Sequence, residues 1–264
     1  MPQDDTKELA EGYTLVNDTQ YSAGLFLLNR LQIRPGMHVL DVGCGPGNLT
    51  AHLAYLVGPN GSVVGIDPSA ERIRLALTSH GHRPNLSFEE GIAEDLSRFD
   101  SARFDAVFVN STLHWVRDQP AALCEFGRVL RPGGRLGISG GSGDFEAVHE
   151  RIKAEVLGRA PYRDYPDESS LPRFLKRMEI EDLLDAAGFG EREIVVNSIV
   201  REAKDGEAMI DWLDTSSSGK TYGGIPLEMR PRAREEMKVE WAKVTTVEGI
   251  KMDMELLVTV AVMK

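Results

Sequence analysis

Cysteine is nearly missing from these 264 residues, with Cys44 and Cys124 the whole supply. Two thiols cannot build a disulfide scaffold or a four-ligand zinc site, and their spacing fits no metal motif. Positive charge is also short: 30 Lys and Arg stand against 41 Asp and Glu, leaving a formal net charge of −11. Such a balance repels phosphate backbones and anionic lipid, and no sustained basic patch offsets it. Nucleic acid and membrane are therefore not expected partners. No apolar run is long enough to span a bilayer, and the opening "MPQDDTKELAEG" has neither the basic flank nor the apolar stretch of a secretory signal. Repeats and low-complexity tracts are lacking too. The expectation is a cytoplasmic chain, monomeric or homodimeric.

What is present alternates. Apolar runs of strand length trade places with helix-length amphipathic stretches, the pattern of a parallel sheet with crossover helices. "HVLDV" (38–42) reads as a first strand and "GNLTAHLAYLVG" (47–58) as a helix. "SVVGID" (62–67) is a second strand, followed by a helix over 69–80 with Ser69 as N-cap. "LSFEEG", "FDAVFVN" (104–110) and "RLGISG" continue the strands, with a helix over "QPAALCEFGRVL" closed by Pro132, Gly133 and Gly134. Residues 142–178 carry Pro161, Pro166 and Pro172 and read as an irregular insertion. The pattern resumes with "EIEDLLDAAGF" as a helix and "EREIVVNSIV" as a strand. A second insertion, 203–249, is polar and mostly helical, and "ELLVTVAVMK" is a last strand. The whole of 1–264 fits one α/β domain with two decorations.

The turn "VLDVGCGPGNLT" (39–50) sits between a strand and a helix, where glycines let a ligand approach the backbone in front of a helix N-terminus. A dinucleotide fingerprint would need its third glycine at 48, where Asn48 stands, and no Gly-Lys-Ser/Thr follows for a phosphate loop. Cys44 reads as a small loop residue, the competing reading being a nucleophile at a helix start. "GISGG" (137–141) has the spacing of a nucleophile elbow around Ser139. The acid-then-histidine order that elbow requires is missing, since His149 is the only later histidine.

The stretch 37–140 resembles the core of the class I S-adenosylmethionine-dependent methyltransferases. "VLDVGCGPG" is similar to their first motif and "VVGIDPSAERI" to their second. "FEEGIAEDL" matches the adenine-side segment, "FDAVFVNSTLHW" the fourth strand and its loop, and "VLRPGGRLGISG" the hairpin into the fifth strand. The resemblance implies a three-layer, Rossmann-like α/β fold with a seven-stranded sheet ordered 3-2-1-4-5-7-6, its seventh strand antiparallel. It also implies S-adenosyl-L-methionine as cofactor and S-adenosyl-L-homocysteine as product. The "LHW" ending followed by "VRDQPAAL" is similar to small-molecule members, including the trans-aconitate and juvenile hormone acid methyltransferases. The Asn/Asp-Pro-Pro-aromatic loop of base and glutamine N-methylating members is not there. No Asp or Glu lies between 106 and 117 to hold a metal, so none is expected.

Carried over residue by residue, the resemblance makes Asp41 the acid that receives the cofactor's ammonium. Gly43, Cys44, Gly45 and Gly47 form the loop beside the methionine and ribose portions. A carboxylate accepting two hydrogen bonds suits a ribose diol, which assigns that diol to Asp67, with Pro68 beside it; the plainer reading of Asp67 is a helix cap. On the adenine side stand Ile92, Ala93 and Glu94, where Ile92 replaces the expected carboxylate. Ile92 packs on the purine or else in the core, and the backbone of Ala93 or the side chain of Glu94 substitutes for the missing acid. Asn110 lies at the end of the fourth strand. Gln20, in "VNDTQYSAGLFLLNRL", is by position the glutamine that reaches the cofactor, with Tyr13 or Tyr21 closing over it; the competing reading is a helix-capping or surface role. His114 either deprotonates the acceptor or packs beside the cofactor, and Trp115 walls the substrate pocket. The insertions 142–178 and 203–249 form a lid. Trp212, Tyr222 and Trp241 are its apolar walls, and Lys220, Arg230 and Arg232 are either partners for an acceptor carboxylate or solvated charges on a helical excursion. The function implied is direct displacement at the sulfonium methyl by a small molecule. The alternative is a protein that binds the same cofactor without methyl transfer or for other chemistry.

Overall fold

The computed structural model describes residues 18–166, 172–217 and 220–264. Its strands are β1 (His38–Val42), β2 (Ser62–Asp67), β3 (Leu86–Glu90), β4 (Phe104–Asn110), β5 (Leu130–Gly141), β6 (Phe189–Ala203) and β7 (Ile250–Met263). They form one sheet in the order β3-β2-β1-β4-β5-β7-β6. The first five run parallel, and β7 is antiparallel to both its neighbours. The expected strand order and the antiparallel seventh strand are both observed.

Central strands are buried on both faces, so they read as nearly continuous apolar runs. In β4, Val107 and Val109 face one core while Ala106 and Phe108 face the other. The helices α1 (Asp18–Leu31), α2 (Asn48–Val57) and α3 (Ala70–His80) cover the second face. The first is covered by α4 (Gln119–Val129) and, after α5 (Val148–Leu157), by α6 (Arg177–Ala186). Among the described residues no helix is long and apolar enough to cross a membrane.

The two insertions differ from expectation in one respect. Residues 142–178 are not irregular throughout, because α5 lies within them. Val148, Ile152 and Val156 recur every fourth residue and put one apolar stripe on that helix. All three prolines of the segment come after it. The second insertion contributes α7 (Gly206–Ser216) and α8 (Arg230–Ala242). Ile152 and Val156 pack with Met209, Trp212, Met237 and Trp241 in a third apolar cluster, so the insertions share one core and form a single cap. Arg234 fastens that cap, pairing with Asp211 and Asp214 of α7 at 2.6 and 3.0 Å.

Candidate active site

Strands β1, β2 and β4 end side by side where the strand order reverses, between β1 and β4. Open α/β sheets keep their ligand crevices at that place. The loop after β1 carries three glycines in left-handed backbone, with φ of 74° at Gly43, 54° at Gly45 and 85° at Gly47. They serve different ends. A Cβ on Gly43 would lie 2.1 Å from Thr112 Oγ1, and one on Gly47 would lie 2.7 Å from the Phe88 ring. Gly45 alone of the three faces open space. Two anchors hold the loop: the amides of Gly43 and Cys44 donate to the Ile66 carbonyl at 2.8 and 2.9 Å. The Gly45 amide donates to Asp67 Oδ2 at 3.0 Å.

Above this loop lies a cavity of about 420 Å³, floored by strand ends and roofed by the cap. Its floor is rich in oxygen acceptors. Asp41 is 2% exposed, and its Oδ2 accepts from Thr50 Oγ1 at 2.7 Å. Burial pushes its carboxyl up to about 7, with the Thr50 hydrogen bond opposing and the Asp67 carboxylate adding to the rise. Asn110 donates its amide to the Gln20 carbonyl at 3.0 Å, tying α1 to the end of β4. The oxygens Asn110 Oδ1 and Gln20 Oε1 are then buried with no partner among the described residues. A carboxylate and two orphaned amide oxygens ask for a ligand end that donates several hydrogen bonds.

Asp67 takes the plainer of its two expected roles, as a cap, and adds one that was not expected, a hold on the glycine loop. Its Oδ1 caps the turn into α3 by accepting from the Ser69 amide at 2.9 Å, while its other oxygen holds the glycine loop. Pro68 lines the cavity beside it. Ser69 is the N-cap of α3, accepting from the Arg72 amide. Cys44 also lines the cavity, yet burial and the two nearby aspartates push its thiol well up, which opposes a thiolate nucleophile.

His114 and Trp115 occupy a single 3-10 turn (Leu113–Trp115) directly after β4, and both line the cavity. The His114 ring lies 5.1 Å from that of Trp115 and 4.8 Å from that of Phe174. Buried Gln119 locks the turn, donating to the carbonyls of Leu113 and Arg173 at 3.0 Å each. The Arg173 amide in turn donates to the His114 carbonyl at 2.8 Å.

Several expected residues stand elsewhere. Ile92 is 48% exposed, so it is not a core residue, and neither it nor Ala93 nor Glu94 lines the cavity. Ala93 packs in the core, and Glu94 accepts from the amides of Arg117 and Asp118, fixing the approach to α4. Gly47 turns inward against Phe88 rather than toward the ligand space. Trp212 and Trp241 line the roof, whereas Tyr222 is buried behind it, donating to Asp214 at 3.1 Å with the Arg230 guanidinium over its ring. Arg232 pairs with Glu236 at 3.0 Å and lies over Tyr162; neither arginine reaches the cavity. Tyr21 lines it, while Tyr13 and the side chain of Lys220 fall outside the described residues. Ser139 is buried in mid-sheet, between Asn110 of β4 and Val258 of β7, which is no place for an exposed nucleophile.

The roof holds residues that the sequence reading missed. His149, Ile152 and Lys153 project into the cavity from α5, with Phe145 before the helix and Phe174 beyond it. The spacing 149, 152, 153 marks one helical face and was the available signal. Burial, aided by Lys153, pushes the His149 imidazole down to about 4, so the ring is neutral at ordinary pH. Among the described residues no cluster of His, Cys, Asp and Glu could hold a metal ion.

A methyltransferase domain model matches residues 33–164, half of the chain. The chain is 30% identical to nocamycin O-methyltransferase of Saccharothrix syringae, over 70% of its own length and 71% of that protein. The chain belongs to the class I S-adenosylmethionine-dependent methyltransferases. This methyltransferase is also 39% identical to the ubiquinone/menaquinone biosynthesis C-methyltransferase UbiE of Hahella chejuensis, over 48% of its length and 54% of that enzyme. It thus spans about half the length of some curated relatives. Its fold is that of the Bacillus YcgJ protein, with a TM-score of 0.64 at 17% identity, covering 92% of this chain and 98% of that one. The family cofactor is S-adenosyl-L-methionine, and the acceptor-rich floor fits its amino acid end: an ammonium brings the positive charge and the donors that Asp41, Gln20 and Asn110 lack.

Proposed function

We propose that this methyltransferase moves the methyl group of S-adenosyl-L-methionine to a small-molecule acceptor by direct displacement. The observation that carries the reading is Asp41, a carboxylate buried at the floor of the cavity with a neutral hydroxyl as its hydrogen-bond donor. When bound, the cofactor supplies a methyl group on a positively charged sulfur. In this reading Asp41, Gln20 and Asn110 hold the ammonium, and Asp67 receives the ribose diol. Gly45 admits the ligand close to the backbone, and Cys44 and Pro68 pack along it. His114 and Trp115 stand on the acceptor side, locked in place through Gln119 and Arg173. Placement is what a displacement needs, because nucleophile, carbon and sulfur must be nearly collinear. Charge that vanishes in the transition state favours a dry site, and the aromatic cap supplies the dryness with Trp212 and Trp241. A cap of this kind opens to admit the acceptor and closes over it.

Calorimetric titration with S-adenosylhomocysteine, combined with methyl-labelled cofactor and a metabolite extract, tests the proposal. Binding together with label appearing in a small molecule supports it. Binding without transfer favours the alternative, a cofactor-binding protein with other chemistry, and absence of binding overturns both.

A further inference from the structure

Two polar atoms in the roof lack partners. His149 Nδ1 and Trp212 Nε1 are both buried, and neither has a hydrogen-bond partner among the described residues. Both side chains line the cavity, from α5 and α7 respectively. Buried polar groups are nearly always satisfied, so an orphan at a cavity wall calls for a ligand group. The two ask for opposite things. An indole N–H only donates, while a neutral imidazole also offers a lone pair. Between them they complement a ligand end that both donates and accepts.

The surrounding wall describes the rest of the ligand. Phe145, Trp115, Phe174 and Trp241 line the same cavity, together with Ile152 and Met237. Aromatic faces grouped in this way favour a flat, apolar partner. The cofactor's ammonium and ribose have counterparts on the floor, in Asp41 and Asp67, and the segment expected at its adenine follows β3, at the sheet edge opposite the β6 strand on which α7 packs, so the roof pair is left to the acceptor.

Resting on the methyl-transfer reading of the cavity, we propose that His149 and Trp212 are specificity-determining residues that select a flat, hydroxylated acceptor. Its hydroxyl donates to the imidazole of His149, and an oxygen of the acceptor receives the Trp212 indole N–H. The neutral state of His149, enforced by burial and Lys153, keeps its lone pair available.

The test uses the full chain saturated with S-adenosylhomocysteine and two probes, 2-naphthol and its methyl ether 2-methoxynaphthalene, titrated calorimetrically. The wild type is expected to bind 2-naphthol about fivefold to tenfold more tightly than the ether, the worth of one hydrogen bond to a neutral partner. His149→Phe keeps a ring of similar shape without a lone pair and should bring the two probes within about twofold, while His149→Gln retains part of the preference. Trp212→Phe should weaken both probes together, because an ether oxygen also accepts from the indole. Equal affinity of the wild type for the two probes, failure of 2-naphthol to bind, or an undiminished preference in His149→Phe each overturns the proposal. Failure of S-adenosylhomocysteine itself to bind is a separate result, which removes the methyl-transfer reading instead. Retained S-adenosylhomocysteine affinity in His149→Phe shows that the fold is intact and that only acceptor recognition has changed.

Discussion

Asp41 gives the sharpest prediction, because the residue that suits the cofactor is a liability in the empty fold. Its carboxyl, ordinarily at 3.8, is pushed up to about 7. At about 1.4 kcal/mol per pH unit, ionising it inside the fold costs at most about 4 kcal/mol. The sign follows from proton binding. Between pH 4 and 7 the folded chain holds a proton that the unfolded chain has released, so this group makes stability fall as pH rises through that window. Above pH 7 the penalty is complete. In Asp41→Asn the amide oxygen still accepts from Thr50 and no charge is buried. The variant should therefore match the wild type near pH 4 and exceed it by up to about 4 kcal/mol at pH 8. For a chain of this size each kcal/mol is about 2–4 °C in melting temperature, so thermal unfolding of the ligand-free protein at both pH values resolves the effect. The same variant should bind S-adenosylhomocysteine at least tenfold more weakly, since a hydrogen bond to a charged partner is worth about 1.5–3 kcal/mol. A variant no more stable than wild type at pH 8, or one with unchanged affinity, refutes the reasoning.

Other expectations follow from neighbouring contacts. Gly43→Ala drives a Cβ to 2.1 Å from Thr112 Oγ1 at a φ of 74°, and should cost about 2–4 kcal/mol by chemical denaturation, part of it recovered in Gly43→Ala with Thr112→Ala. Gln20→Leu removes an orphaned oxygen and should weaken S-adenosylhomocysteine binding about fivefold by calorimetry while leaving the melting temperature unchanged or slightly raised. With its pKa lowered to about 4, His149 takes up its proton more readily in the unfolded chain. Its contribution, at most about 3 kcal/mol, should be lost as pH falls from about 6.5 to 4, and His149→Phe should flatten that limb of the stability profile. Arg234→Met leaves Asp211 and Asp214 without their cation and should lower the melting temperature, with cofactor affinity retained because the network lies in the cap.

The cofactor half was legible for physical reasons. Strands buried on both faces cannot hide their apolar runs, and left-handed turns at Gly43, Gly45 and Gly47 leave glycine as their mark. Asp41 and Asp67 are polar residues at the ends of such runs. The cap was harder to read. Its helix α5 has only three apolar positions at helical spacing, followed by prolines that dominate the segment, so His149 and Lys153 passed unnoticed. Tyr222, Arg230 and Arg232 show the opposite failure: an aromatic or a cation in an insertion was assigned to the cavity when the three are spent on holding the cap together. Ile92 is exposed rather than packed in the core, a choice that sequence position could not make because it gives a segment and not the direction of a side chain. Gln119 and Arg173, which lock the His114 turn, lie 54 residues apart and carry no local pattern.

The most direct measurement compares S-adenosylhomocysteine with its analogue lacking the α-amino group, titrated into the wild type and into Asp41→Asn at pH 8. The account predicts at least tenfold weaker binding of the desamino analogue to the wild type, and a much smaller difference in the variant. Equal affinity of the wild type for the two ligands would contradict it.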